Sequence, residues 1–256
     1  MWRLPVSGTE LSLRGPEGND DLLLYESTDR GLRLALEIAS RLARRSDGEP
    51  LRWEEATLTD LDAVLIFLRV MQFGFQVRAE AVCSWAACRR RIDVSFGLDI
   101  YLRSNQPAAP RGITADGDGW YRLADLPPRF RLPTVSDLLE AGAYPDSAAY
   151  LRETCIQPQP VARLFGARLE RAMSAMAPNL AQGLTMVCPE CRLPISVWFD
   201  PIDYTLRELR GPAARVHQEV HVLASTYHWP EAEILALPRQ RRAAYVELAE
   251  QSRALD

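Results

Sequence analysis

The stretch Met186–Asp200, MVCPECRLPISVWFD, places Cys188 and Cys191 three positions apart, directly ahead of a run that alternates as a strand does. A C-x-x-C pair serves either redox chemistry or metal binding, and the residues after the second cysteine separate the two. A thioredoxin-type pair opens a helix, whose N-terminal dipole lowers the thiol pKa. Here Pro194 and the β-branched Ile195 and Val197 forbid an immediate helix and favour a strand. Metal binding is the expected use, but one pair supplies only half of a tetrahedral site.

The other half is expected a hundred or so residues upstream. VCSWAACRRRIDVSFGLDIY (Val82–Tyr101) and VCPECRLPISVWFDPIDY (Val187–Tyr204) share Val-Cys, a short turn, Cys-Arg, Ile-x-Val-x-Phe and a closing tyrosine. Short C-x₂₋₄-C turns each deliver two thiolates from one hairpin. Cys83-x₄-Cys88 lies at the wide edge of that range and Cys188-x₂-Cys191 within it. Two such knuckles side by side make a Cys₄ structural zinc site, so Cys83, Cys88, Cys188 and Cys191 are the predicted Zn²⁺ ligands. Cys155, in LRETCIQ, has no partner in the pattern and is expected to be a free buried thiol.

Other metal and catalytic chemistry is weakly represented. HQEVH (His217–His221) differs from the H-E-x-x-H of zinc peptidases. Its Glu219 falls about 200° around a helix from His217, so the intended base would point away from a metal. His217, His221 and His228 read instead as packing or interface residues. There is no G-x-S-x-G elbow, phosphate loop or dinucleotide fingerprint in the sequence. A non-enzymatic protein is expected.

The 256 residues are 47% hydrophobic and 25% charged, as in an ordinary globular protein. No run approaches roughly eighteen apolar residues, and the opening MWRLPVSGTELSLRG lacks the form of a signal peptide. A cytoplasmic protein without a membrane span is expected, a compartment where cysteines are seldom structural disulfides. All thirty basic residues are arginine and the net charge is −4, a poor balance for binding nucleic acid non-specifically. CRRR (Cys88–Arg91) and RQRR (Arg239–Arg242) read as solvated faces.

The expected fold class is α+β: predominantly helical, with a four-stranded zinc-ribbon-like unit built from two cysteine knuckles separated by a helical insert. One compact domain would run through a helical region (1–74), the first knuckle (75–104), a loop and helical insert (105–181), the second knuckle (182–200) and a helical region (201–256). Residues 1–14 suggest an edge strand or hairpin, and one helix is expected from an Asn19 cap to about Arg45. A second is capped by Thr59 or Asp60 and ended by Gly74. Residues 105–119 read as a loop, and GWYRLADLPPRFRLP as a short hairpin. Thr134 would cap the next helix, with further helices over about 146–155 and 160–177. Gly211-Pro212 would split the C-terminal helical region, and short helices would start at Pro230 and Pro238.

Several of these segments together resemble a known family. RVMQFGFQVRAEAVC, FRLPTVSDLLEA, CPECRLPISVWFDPIDY and EVHVLASTYHWPEAEILALPRQRRAAYVEL look like the T4-like phage baseplate proteins, also described as baseplate hub assembly chaperones, of contractile phages and contractile injection systems. The resemblance covers residues from about 20 to 250. It implies a non-catalytic component or assembly factor whose partners are baseplate, hub or spike proteins, present in the cytoplasm or retained in the assembled particle. The docking face it suggests lies around Tyr227, Trp229, Ile234 and Leu237. The competing expectation is a zinc-ribbon module associated with nucleic acid or transcription, for which Arg89, Arg90, Arg91 and Arg192 supply only part of a basic face.

Overall fold

The helix Leu58–Phe73 is buried on every side from Thr59 to Val70, as expected of a core helix rather than an amphipathic surface one. Thr57 caps it, accepting from the Asp60 N–H, and Gly74 ends it at φ 77°, a left-handed position that costs glycine nothing. The cap thus lies two residues before Thr59.

The computed structural model describes residues 2–158 and 162–253 and is 48% helical and 21% strand. β1 (Trp2–Arg3), β2 (Glu10–Leu13) and β3 (Ala43–Arg45) form a three-stranded antiparallel sheet. Between β2 and β3 lie α1 (Gly18–Glu26) and α2 (Leu32–Leu42). The single helix expected from Asn19 to Arg45 is therefore broken. Asp29 accepts from the Gly31 N–H in the STDRG link, the local competition by which such residues interrupt helices. The cap of α1 is Glu17, in a reciprocal box with Asp20, not Asn19.

After α3 (Leu58–Phe73), β4 (Gln76–Val82) and β5 (Arg91–Gly97) make the first hairpin, with α4 (Leu98–Ser104) next. The insert contains β6 (Ile113–Ala115), β7 (Trp120–Leu123), β8 (Arg129–Arg131), α5 (Val135–Ala141), α6 (Ser147–Cys155), β9 (Ile156–Gln157) and α7 (Ala162–Met176). Thr134 does cap α5, in a reciprocal box with Asp137. Residues 160 and 161 of the helix expected there lie outside the described residues. The insert is more than loop, hairpin and helices: β6–β9 form a four-stranded antiparallel sheet. It has its own core of Leu123, Leu126, Phe130, Ile156, Leu169 and Ala172.

The second hairpin, β10 (Gln182–Val187) and β11 (Pro194–Phe199), leads into α8 (Pro201–Ala213), α9 (Val216–Tyr227), α10 (Glu231–Leu235) and α11 (Arg239–Arg253). The main core joins α1, α2, α3 and α8 through residues such as Leu24, Ile38, Leu65 and Leu206. No helix among the described residues is long and apolar enough to cross a membrane.

RQRR is only half a solvated face: Gln240 and Arg241 are exposed, but Arg239 and Arg242 are buried. Arg242 is wholly buried, donating to Glu219 at 2.6 Å and to Asp21, and Arg239 donates to the same Asp21 at 3.0 Å. This network ties α11 to α9 and α1. A Cβ at Gly18 would come within 2.7 Å of Leu235 Cα and 2.9 Å of Arg242 Nη1, so the start of α1 tolerates no side chain.

Candidate metal centre

The two hairpins are rooted on α3. Val77, Leu98, Tyr101, Leu180 and Phe199 pack with Ile66 and Val70. Buried Arg69 donates to Glu208 at 2.6 Å, to the Gln76 carbonyl at 2.8 Å and to the Gly74 carbonyl, fixing where β4 leaves α3 against α8. Phe96 and Phe199, equivalent residues of the repeat, meet edge-to-face at 5.0 Å, a favourable aromatic geometry.

From these roots the strands run to the knuckles with the registers Val77↔Phe96, Ala79↔Val94 and Ala81↔Ile92 in one hairpin. Leu184↔Val197 and Met186↔Ile195 match them in the other. The predicted four-stranded unit is instead a pair of two-stranded sheets. Their inner faces meet through Ala81, Ile92, Met186, Ile195 and Val197, below the cysteines. Period-two alternation puts one face of each hairpin inward, and facing hairpins contact through side chains instead of ladder hydrogen bonds.

All four predicted cysteines converge, with every Sγ within 4.8 Å of the others. The Cys83–Cys191 and Cys88–Cys188 sulfurs are 3.8 and 4.0 Å apart, so each short contact joins the first cysteine of one knuckle to the second of the other. A tetrahedral Zn²⁺ with bonds near 2.3 Å requires an edge of about 3.8 Å. All four are free thiols. Cys83 and Cys188 are buried and Cys88 and Cys191 half-buried, again equivalent by repeat. Arg89 (φ 49°) and Arg192 (φ 62°), directly after the second cysteines, are both left-handed, so the turns match in backbone as well as sequence.

The thiols sit in contrasting environments. Backbone N–H groups of Cys191 and Glu190 lower the Cys188 pKa to about 7, the effect of donors aimed at a charge-bearing sulfur. Burial pushes Cys83 up to about 12, against the pull of the Trp85 N–H. The Leu193 N–H pulls Cys191 down, but burial and the Cys188 sulfur outweigh it and the pKa is raised. Four thiolates this close repel one another, and a bound cation would remove that repulsion.

The other candidates take structural positions. Cys155 is free and buried, its pKa pushed up to about 11 by burial. None of the histidines belongs to a potential metal group among the described residues. His217 and His221 are exposed, while Glu219 turns inward to Arg242. Of the suggested docking face, Ile234 is completely buried and cannot meet a partner in this fold. Tyr227 stacks on Trp229 at 4.9 Å, and Trp229 meets Tyr245 edge-on at 5.1 Å, so these rings are half-buried in a cluster of their own. Leu237 is half-buried. Sequence reasoning missed the Asp21–Arg239–Arg242–Glu219 network and the buried Arg69. The only hint was arginine at helical spacing beside apolar residues.

Fold and site together define a mixed helix-and-sheet chain whose four clustered cysteines could hold a metal ion. Comparison with protein-family models, curated proteins and solved structures gave no match.

Proposed function

We propose that the four thiolates hold a structural zinc, and that the chain is a non-catalytic baseplate or hub component, or assembly factor, of a contractile tail or contractile injection system. The zinc reading is carried by one observation: four sulfurs from two distant hairpins lie within 4.8 Å of one another, two of the separations, 3.8 and 4.0 Å, close to a tetrahedral edge. A soft Cys₄ set suits zinc and leaves no open position for a substrate. The tail-assembly reading rests on the sequence resemblance, and a scaffold acting through protein contacts accords with it. The outer face of the first hairpin carries Arg78, Glu80, Arg91 and Asp93, a mixture of signs that does not favour the nucleic-acid alternative.

The test is mass spectrometry of what co-purifies with a tagged copy in its native cell during particle assembly, with elemental analysis of the same sample. Hub, wedge or spike proteins and about one zinc per chain are expected. Polymerase subunits or nucleic acid would replace the assembly reading with the alternative, and iron in place of zinc would overturn the metal assignment.

A further inference from the structure

Trp85 and Leu193 are 44 and 41% exposed, each lies two residues from a clustered cysteine, and the two line one cleft. Large apolar side chains gathered at one exposed point mark a contact surface more often than scattered ones do. The Trp85 indole N–H donates to the Pro194 carbonyl at 2.9 Å, so the ring is held across the second knuckle with its polar edge already satisfied. Between the knuckles lies a cleft of about 290 Å³, lined by the half-buried Cys88 and Cys191 of the cysteine cluster together with Trp85, Ala87, Arg90, Glu190 and Leu193.

Charge narrows the occupant. Arg89, Arg90 and Arg192 are exposed and form no ion pair among the described residues, and neither does Glu190 in the cleft, which leaves the tips net positive; Arg91 approaches Glu80 at 3.5 Å. Arg89 and Arg192 occupy left-handed positions where a non-glycine residue costs about 1–2 kcal/mol, yet both knuckles place arginine there. A planar guanidinium pairs with carboxylate in a bidentate manner.

We propose that the knuckle tips form a docking surface for an acidic, apolar segment of a partner protein. An aliphatic or aromatic side chain of that segment would enter the cleft between Trp85 and Leu193, and its carboxylates would pair with Arg90 and the flanking arginines. The proposal deepens the reading of the chain as a scaffold that works through protein contacts and rests on it. Tryptophan and arginine are the residue types that most often carry interface energy.

The test pans a random dodecapeptide display library on the zinc-loaded full chain, then measures selected peptides by fluorescence anisotropy. Enrichment of Asp or Glu beside Leu, Ile, Phe or Trp is expected. Affinity should fall roughly tenfold or more in both Leu193→Ser and Arg90→Gln, with zinc content unchanged. Trp85→Ala, at a half-exposed residue of the same cleft, serves if Leu193→Ser folds poorly. The proposal is overturned if no peptide is selected, if the selected set is basic, or if the variants bind as the parent does. It is also overturned if a twelve-nucleotide oligothymidine binds more tightly than any peptide. The same holds if the arginine variant loses zinc alone, which would make the arginines counter-charges for the metal site. A parent protein without zinc overturns the metal reading instead, so the two failures are distinguishable.

Discussion

Removing the metal, by chelation or by Cys188→Ser, is expected to open the knuckles and leave the helical body folded. Apart from the thiols, the core between the hairpins consists of buried Ile92 and Ile195 with half-buried Ala81, Met186 and Val197. Burying two side chains of that size contributes about 3–6 kcal/mol, while ordering each backbone residue costs about 1–2 kcal/mol. Two-stranded hairpins are marginal alone, so the tips depend on the staple. The Phe96–Phe199 contact already holds the roots together. The loop that a bound metal would close therefore runs only from Cys88 to Phe96 and from Phe199 back to Cys191, 18 residues, worth about 3 kcal/mol on the loop-entropy scale. A loss of about 3 kcal/mol raises the open population on the order of a hundredfold.

Hydrogen exchange read by mass spectrometry, with and without a zinc chelator, measures this directly. Peptides covering the tips, 81–92 and 186–195, should exchange on the order of a hundred times faster without metal, and those from α3 should be unchanged. Unchanged exchange in the knuckles would refute the staple. Equal loss of protection in α3 would refute the separation of ribbon from body.

Three further outcomes concern the buried charges and the C-terminal helices. Arg242→Ala strips Glu219 of its guanidinium and leaves Asp21 with Arg239 alone, so urea unfolding should show a loss of about 3–5 kcal/mol; a loss below about 1 kcal/mol would mean the network relaxes or admits water. Asp62 is buried, and its Oδ2 has no hydrogen-bond partner among the described residues. Burial first, then the nearby Asp200 carboxylate, raises its pKa well above 3.8. The protonated form favours folding, so its contribution is full below the unfolded-state pKa and is lost as pH rises toward the folded-state value. Asp62→Asn should flatten that decline in urea midpoints measured above pH 4, and an unaltered pH profile would show that another group is responsible. Ile234→Ala should cost about 2–5 kcal/mol by emptying a fully buried site, visible as a lower urea midpoint; a folded, equally stable variant would return Ile234 to the surface.

The cysteine cluster was legible because its signals are local: the spacing within each knuckle and the strand register after it are short-range features, and the repeat links the two halves across the insert. The capping of α5 by Thr134 and the ending of α3 at Gly74 were legible for the same reason. The partner of Arg242 was not, because Asp21 stands 221 residues away. A buried arginine and a solvated one have the same letter and the same helical spacing. The insert's sheet was missed because β6 and β8 have three residues each and β9 has two, too few for a period-two pattern to emerge among the prolines and glycines.

The repeat also limits what the metal can be for. Its equivalent residues meet at the roots, Phe96 with Phe199, and share a cluster in the middle, Ile92 with Ile195, while at the tips the short cysteine contacts run crosswise between non-equivalent positions. The roots pack on α3, and Arg69 fixes them there through the Gly74 and Gln76 carbonyls. The ends of the insert are therefore positioned before any cation is bound, and a metal is needed only at the far end of the hairpins. A centre placed there adds little to the core of helices that it does not touch. Its structural effect is to fix the relative position of Trp85, Arg90 and Leu193, which come from two knuckles and line one cleft. On the proposed reading, partner affinity depends on the metal and the helical fold does not: loss of zinc should abolish binding at the tips while the far-UV helical signal persists.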